Sequence, residues 1–96
     1  MITSISVNDL KRLGPNINLI DIRGIEKYND NHINNAINIP KILLVKDYAK
    51  YLNKLNTYYI YCETGFQSNK ICHLLNSLGY HTMNIDGGYE SWILNS

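Results

Sequence analysis

The chain has 96 residues, enough for one domain with one core and little beyond it. Apolar residues make up 45% and charged residues 18%, which is a globular balance rather than that of a disordered or fibrous chain. The net charge is +1 with histidines neutral. That excludes bulk electrostatic binding to nucleic acid or an anionic membrane, which needs several clustered cations.

Lys11–Arg12 is the only basic pair, and a solvated helix face accounts for it. The start, Met1 to Ser6, has no basic segment and no long apolar run, so it does not read as a signal peptide. No stretch approaches the roughly 18 apolar residues of a membrane span. The expectation is a cytoplasmic protein. Its two cysteines, Cys62 and Cys72, then stay unpaired, because a reducing compartment disfavours a disulfide.

In chain order, Ser6 followed by Asp9 reads as a helix start of the capping-box kind, and Gly14-Pro15 ends that helix. Asn18 to Ile22 is a short apolar run ending in a polar step and reads as a buried strand. Glu26 to Asn31 reads as a short helix or turn. Ala36 to Ile39 is a second apolar run, closed by Pro40. Residues 41–55 show helical spacing through Ile42, Val45, Ala49 and Leu52, with Leu43, Leu44 and Leu55 beside them. Tyr58 to Tyr61 is aromatic and β-branched, hence a strand. Phe66 to Leu78 is helical, with Ile71, Leu74, Leu75 and Leu78 on one side and Gly79 as the stop. His81 to Ile85 is a last strand, Asp86-Gly87-Gly88 a turn, and Tyr89 to Leu94 a final helix.

Strands alternating with helices predict an α/β fold with a mostly parallel sheet covered on both faces. Ligands in such sheets sit beyond the carboxyl ends of the strands. One segment puts a reactive residue there: Cys62-Glu63-Thr64-Gly65-Phe66-Gln67-Ser68, between a strand and a helix. Amides at a helix start have no intrahelical partners, and the helix dipole adds partial positive charge at the same end. A loop curled around the Cys62 sulfur would favour thiolate over thiol, and would hold a persulfide by the same donors. Gly65 allows the tight backbone that such a cradle needs. Taken alone, this segment fits a reactive thiol and a small buried hydrophobe about equally.

The segment has company. Leu19-Ile20-Asp21-Ile22-Arg23, Tyr28, His32-Ile33 and Ala36 to Pro40 resemble the first signature of the rhodanese family. Residues Cys62 to Ser68 resemble that family's active-site loop. Leu78-Gly79-Tyr80, then Asp86-Gly87-Gly88-Tyr89 and Trp92, are similar to its closing signature. The three motifs run in family order from about residue 5 to residue 94. The resemblance implies a single rhodanese domain over residues 1–96, a three-layer α/β/α fold with a five-stranded, mostly parallel sheet. It also implies sulfur transfer through a Cys62 persulfide. No cofactor and no metal are expected. The partners implied are a small anionic donor such as thiosulfate and a cyanide or thiol acceptor, or a protein sulfur donor or acceptor. Nucleic acid and membrane are not among them, and a monomer is expected.

Loop length refines the resemblance. Phosphatases and arsenate reductases of the same fold have a loop one residue longer, with Arg six positions after Cys. Here Gln67 comes five positions after Cys62, which matches sulfur transfer. Many family members have Arg at the place of Gln67, although some, including the phage-shock-protein E type, have Gln. Arg would bring charge and a bidentate fork. Gln67 has neither, and Glu63 adds a negative charge beside the thiolate. Both features predict a modest thiosulfate activity and leave room for a persulfide donor. They also keep open a sulfur-carrier or partner-binding module with little turnover.

The bland readings sort the remaining residues. Cys72 is expected to be a semi-buried packing residue of the helix. Asp21 and Arg23 are expected to order the loop by hydrogen bonds, and His32 to order the turn before the second strand. His73 and His81 read as surface residues. Phe66 is a candidate apolar wall at the mouth, and Trp92 and the tyrosines belong to core and rim. The cysteines and histidines are scattered singly, without metal-ligand spacing.

Overall fold

A computed structural model describes residues 3–95. Five parallel strands lie in the order β1-β5-β4-β2-β3. They are β1 (Ser4–Ile5), β2 (Asn18–Asp21), β3 (Ile37–Asn38), β4 (Thr57–Tyr61) and β5 (His81–Ile85). The helices are α1 (Val7–Leu13), α2 (Ile25–Asp30), α3 (Lys41–Lys46), α4 (Tyr48–Tyr51), α5 (Phe66–Ser77) and α6 (Gly88–Leu94). The sheet is therefore parallel throughout, and its side-chain alternation divides the core in two. Along β4 and one step beyond, Tyr58, Ile60 and Cys62 enter one cluster with Leu44, Leu52, Ile71 and Leu75. Tyr61 enters the other, with Val7, Leu10, Ile85 and Tyr89. Helices cover both faces, which makes the three layers.

The local signals of α1 hold: Ser6 Oγ accepts from Asp9 N at 3.0 Å, and Gly14 at φ 78 closes the helix. Strand β1 has no counterpart in the sequence reading, because two residues carry no periodicity. It exists through its partner: Ser4 stands opposite Asn84, and Asp86 N donates to Ile5 O at 2.8 Å.

The helix read over 41–55 is two pieces, broken at Asp47 (φ −145, ψ 52) and finished at Tyr51. Of the row Ile42, Val45, Ala49 and Leu52, only Leu52 is buried. Ile42 is 76% exposed and Val45 and Ala49 face out, while Leu44, Tyr48, Tyr51 and Leu52 turn inward. Apolar residues surround most of this segment, so the periodicity does not choose a phase; the sheet does. In α5 the buried stripe is Ser68, Ile71, Cys72 and Leu75, with Leu74 and Leu78 at the rim. Among the described residues, no helix is long and apolar enough to cross a membrane.

Candidate active site

The order of the strands makes a crevice at one place. From β2 the chain leaves toward β3, and from β4 it leaves toward β5, so the connections after these two neighbours diverge. Asp21 is in register with Tyr61, and Ile22 N donates to Tyr61 O at 3.0 Å. Residues 22–24 and 62–65 thus emerge side by side. Between them lies an open cavity of about 260 Å³, lined in part by Ile22, Arg23, Lys41, Cys62, Glu63 and Gln67.

Cys62 is buried at 7% exposure, and its sulfur is the focus of the loop. Gly65 N is 3.1 Å from Sγ, Ser68 N is 3.4 Å, and Ser68 Oγ is 3.3 Å. Gly65 has φ 89, a left-handed conformation that turns its amide inward ahead of α5. Ser68 opens the buried stripe of α5, which brings both its amide and its hydroxyl to the sulfur. Its hydroxyl has one proton and three acceptors in reach: Cys62 Sγ, Gly65 O and Asn84 Oδ1. Asn84, buried on β5, is a neighbour that the sequence reading did not single out.

The turn before α6 closes the loop from behind. Tyr89 N donates to Cys62 O at 2.9 Å and Glu90 N to Glu63 O at 3.0 Å. These bonds engage the two carbonyls on the α6 side, while the Gly65 and Ser68 amides point at the sulfur. The approach requires glycine: a Cβ on Gly88 (φ 59) would lie 2.4 Å from Cys62 O and 2.7 Å from Gly65 N.

On the β2 side, the Arg23 guanidinium grips Asp21 with Nε at 3.1 and 3.0 Å from the two carboxylate oxygens and Nη2 at 2.8 Å. Both side chains are buried. Burial alone would lower the Arg23 pKa, but hydrogen bonds and charge from Asp21, with a further bond from Glu63, hold it above its ordinary value. Burial acts in the opposite direction on the Tyr61 phenol and pushes it up, so it stays protonated, and its oxygen accepts from Ile33 N at 3.1 Å. Asp21 and Arg23 are thus the structural pair that the sequence suggested, and Arg23 Nη1 also reaches Glu63 Oε1 at 3.3 Å. His32 orders its turn as expected: Nδ1 lies 2.8 Å from Tyr28 O, and the ring stacks on Tyr28.

Three expectations change. The Glu63 charge is not free beside the sulfur, because Arg23 and Lys27 (3.5 Å) both hold it. Phe66 is 62% exposed under Lys70, and the apolar wall of the cavity is Ile22 instead. Cys72 is fully buried, and burial pushes its thiol up to about 11. Thr64 keeps to its own loop, its Oγ1 accepting from Phe66 N at 3.4 Å. Gln67 lies at the mouth, where its Oε1 accepts from Lys41 Nζ at 2.8 Å. Lys41 went unread in the sequence, although it directly follows Pro40, the end of the first signature.

A family model described as a rhodanese-like domain matches residues 6–95. The chain belongs to the rhodanese-like domain family. It is 34% identical over 72 residues to the thiosulfate sulfurtransferase PspE of Escherichia coli (strain K12), which covers 74% of this chain and 69% of that one. A rhodanese-like domain protein from Staphylococcus aureus superposes with TM-score 0.83 at 31% identity, over 95% of this chain and 91% of that one. The rhodanese-like domain of the Alr3790 protein from Anabaena gives 0.87 at 30% identity, over 100% and 76%.

Within this rhodanese-like domain the three sequence signatures converge on one spot. The first contributes the Asp21–Arg23 clamp, the second is the Cys62 cradle, and the third contributes the Gly87-Gly88 turn beneath it. Among the described residues, no group of three or more His, Cys, Asp or Glu side chains is placed to hold a metal ion.

Proposed function

We propose that Cys62 is the nucleophile of a sulfurtransferase that moves a sulfane sulfur from a donor such as thiosulfate to cyanide or a thiol. The observation that carries this reading is the convergence of the Gly65 and Ser68 amides on a sulfur that borders an open cavity. Donors aimed at a sulfur stabilise negative charge there, first as thiolate and then as persulfide.

The Cys62 thiolate attacks the outer sulfur of thiosulfate. A new S–S bond forms at Cys62, and the old one breaks with its electron pair leaving on sulfite. The Cys62 persulfide anion then occupies the cradle. Cyanide attacks the terminal sulfur, takes it as thiocyanate and returns the thiolate. Charge balances in both steps, no electron acceptor is needed, and the order is ping-pong. Glu63, Thr64, Gly65, Phe66, Gln67 and Ser68 form the binding loop, with Gly65 and Ser68 supplying the donors and Gln67 the mouth. A protein persulfide is the alternative donor, reaching Cys62 through the same opening.

Intact-protein mass after incubation with thiosulfate, then cyanide, tests the mechanism. The expected result is a gain of one sulfur on Cys62, its loss with thiocyanate release, and no gain in Cys62→Ser at unchanged thermal stability. A gain without repeated turnover would favour a sulfur carrier. Turnover retained by Cys62→Ser, or hydrolysis of an aryl phosphate, would overturn the reading.

A further inference from the structure

Four ionised side chains line the Cys62 cavity: Arg23, Lys27, Lys41 and Glu63. Arg23 is engaged by Asp21 and Glu63, and Lys27 by the same Glu63 oxygen. Two carboxylates therefore answer two cations. Lys41 has no carboxylate partner among the described residues. Its ammonium instead donates to Gln67 Oε1, across the cavity mouth from α3 to α5. The backbone holds it there: Lys41 N donates to Ile22 O at 2.9 Å, which ties the residue to the end of β2 beside the Cys62 loop.

This contact also sets the orientation of Gln67. An ammonium only donates, so the amide must present its oxygen to Lys41. The two Nε2 hydrogens, which have no partner among the described residues, remain as donors. A neutral Gln67 and an uncompensated ammonium together offer what one guanidinium would offer at position 67: one positive charge and a pair of N–H donors.

We propose that Lys41, paired with Gln67, is the residue that recognises an anionic co-substrate at Cys62. The inference rests on the sulfur-transfer reading for the identity of that anion, a thiosulfate-like donor, but the charge recognition can be measured without it. An exposed ammonium acts at modest strength and is weakened by salt.

The test compares alkylation of Cys62 by iodoacetate, an anion, with that by iodoacetamide, its neutral counterpart, each mapped by mass. Lys41→Gln should slow iodoacetate about fivefold to tenfold at low salt and leave iodoacetamide within about twofold. Lys41→Arg should restore the rate. Moving the charge, Lys41→Gln with Gln67→Arg, should restore it as well. In thiosulfate assays, Lys41→Gln should raise KM by a similar factor and leave kcat nearly unchanged. An unchanged iodoacetate-to-iodoacetamide ratio in Lys41→Gln would overturn the inference. A lowered ratio in a protein that thiosulfate never loads would keep Lys41 as the anion-recognising residue and overturn the sulfur-donor reading alone.

Discussion

Two short segments face each other across the Cys62 cavity, and they work by different physics. The loop after β4 acts chiefly through its backbone: the amides of Gly65 and Ser68 point at sulfur. The junction between β3 and α3 acts through one side chain, the ammonium of Lys41 on Gln67. Backbone donors are rigid, short-ranged and held by a dense set of bonds, including those of Tyr89 and Glu90 to the loop carbonyls. A lysine at the rim is a long, screened point charge. The first arrangement suits holding a reactive sulfur, and the second suits choosing what approaches it. Losses on the two sides should therefore differ in kind: structure and chemistry on one, affinity for anions on the other.

The largest expected effect breaks the backbone side. In Gly88→Ala the new Cβ meets backbone at 2.4 Å in a left-handed conformation, so the loop must shift. We expect loss of at least about 3 kcal/mol of stability. Sulfur loading of Cys62 should fall by about a hundredfold or more, the scale of losing a preorganised donor. Chemical denaturation and the mass assay measure the two, and full loading in Gly88→Ala would show that the cradle does not depend on this turn.

Next is the strut between the two sides. Arg23→Ala leaves the buried Asp21 carboxylate with the Arg23 amide as its one bond from that residue. The expected cost is about 3 kcal/mol, because an uncompensated buried charge remains. Arg23→Lys should recover little of it, since a single ammonium does not reproduce the three contacts that Nε and Nη2 make with the carboxylate. Equal stability of wild type and Arg23→Lys in urea would sink this account.

The smallest effect sharpens the contrast between the cysteines. The Cys72 thiol is raised by burial from 9.0 to about 11, so its contribution is complete below pH 9 and is lost as pH rises through about 11. The change is on the order of 2 kcal/mol. Cys72→Ala should be flatter than wild type over that window in pH-dependent unfolding, with sulfur loading at neutral pH unchanged. A large loss of loading would make Cys72 a participant rather than packing.

Legibility in the sequence followed the range of the interaction. The Ser6 cap, the stop at Gly14 and the strand-to-helix turn at Cys62 are written in neighbouring residues, where hydrogen bonds span a few positions. The motif resemblance added the first and closing signatures, although not the reason for Gly88. The inward side of residues 41–52 was not legible, since apolar residues on several sides leave the phase to be chosen by what packs against them. Glu63 was read as a bare charge because Arg23 is 40 residues away in sequence.

By itself, then, the sequence determined an alternating α/β chain, the family resemblance, and a cysteine at the carboxyl end of a strand followed by a glycine-led helix. Periodicity, capping and backbone freedom act locally and can be read in one dimension. Tertiary structure alone decided that β1 is a strand, that Gly88 lies under the loop, that Glu63 is neutralised and that Lys41 meets Gln67. Each of these depends on which strand ends are neighbours. Parallel pairing of distant segments sets that neighbourhood, and no residue announces it to its own flanks.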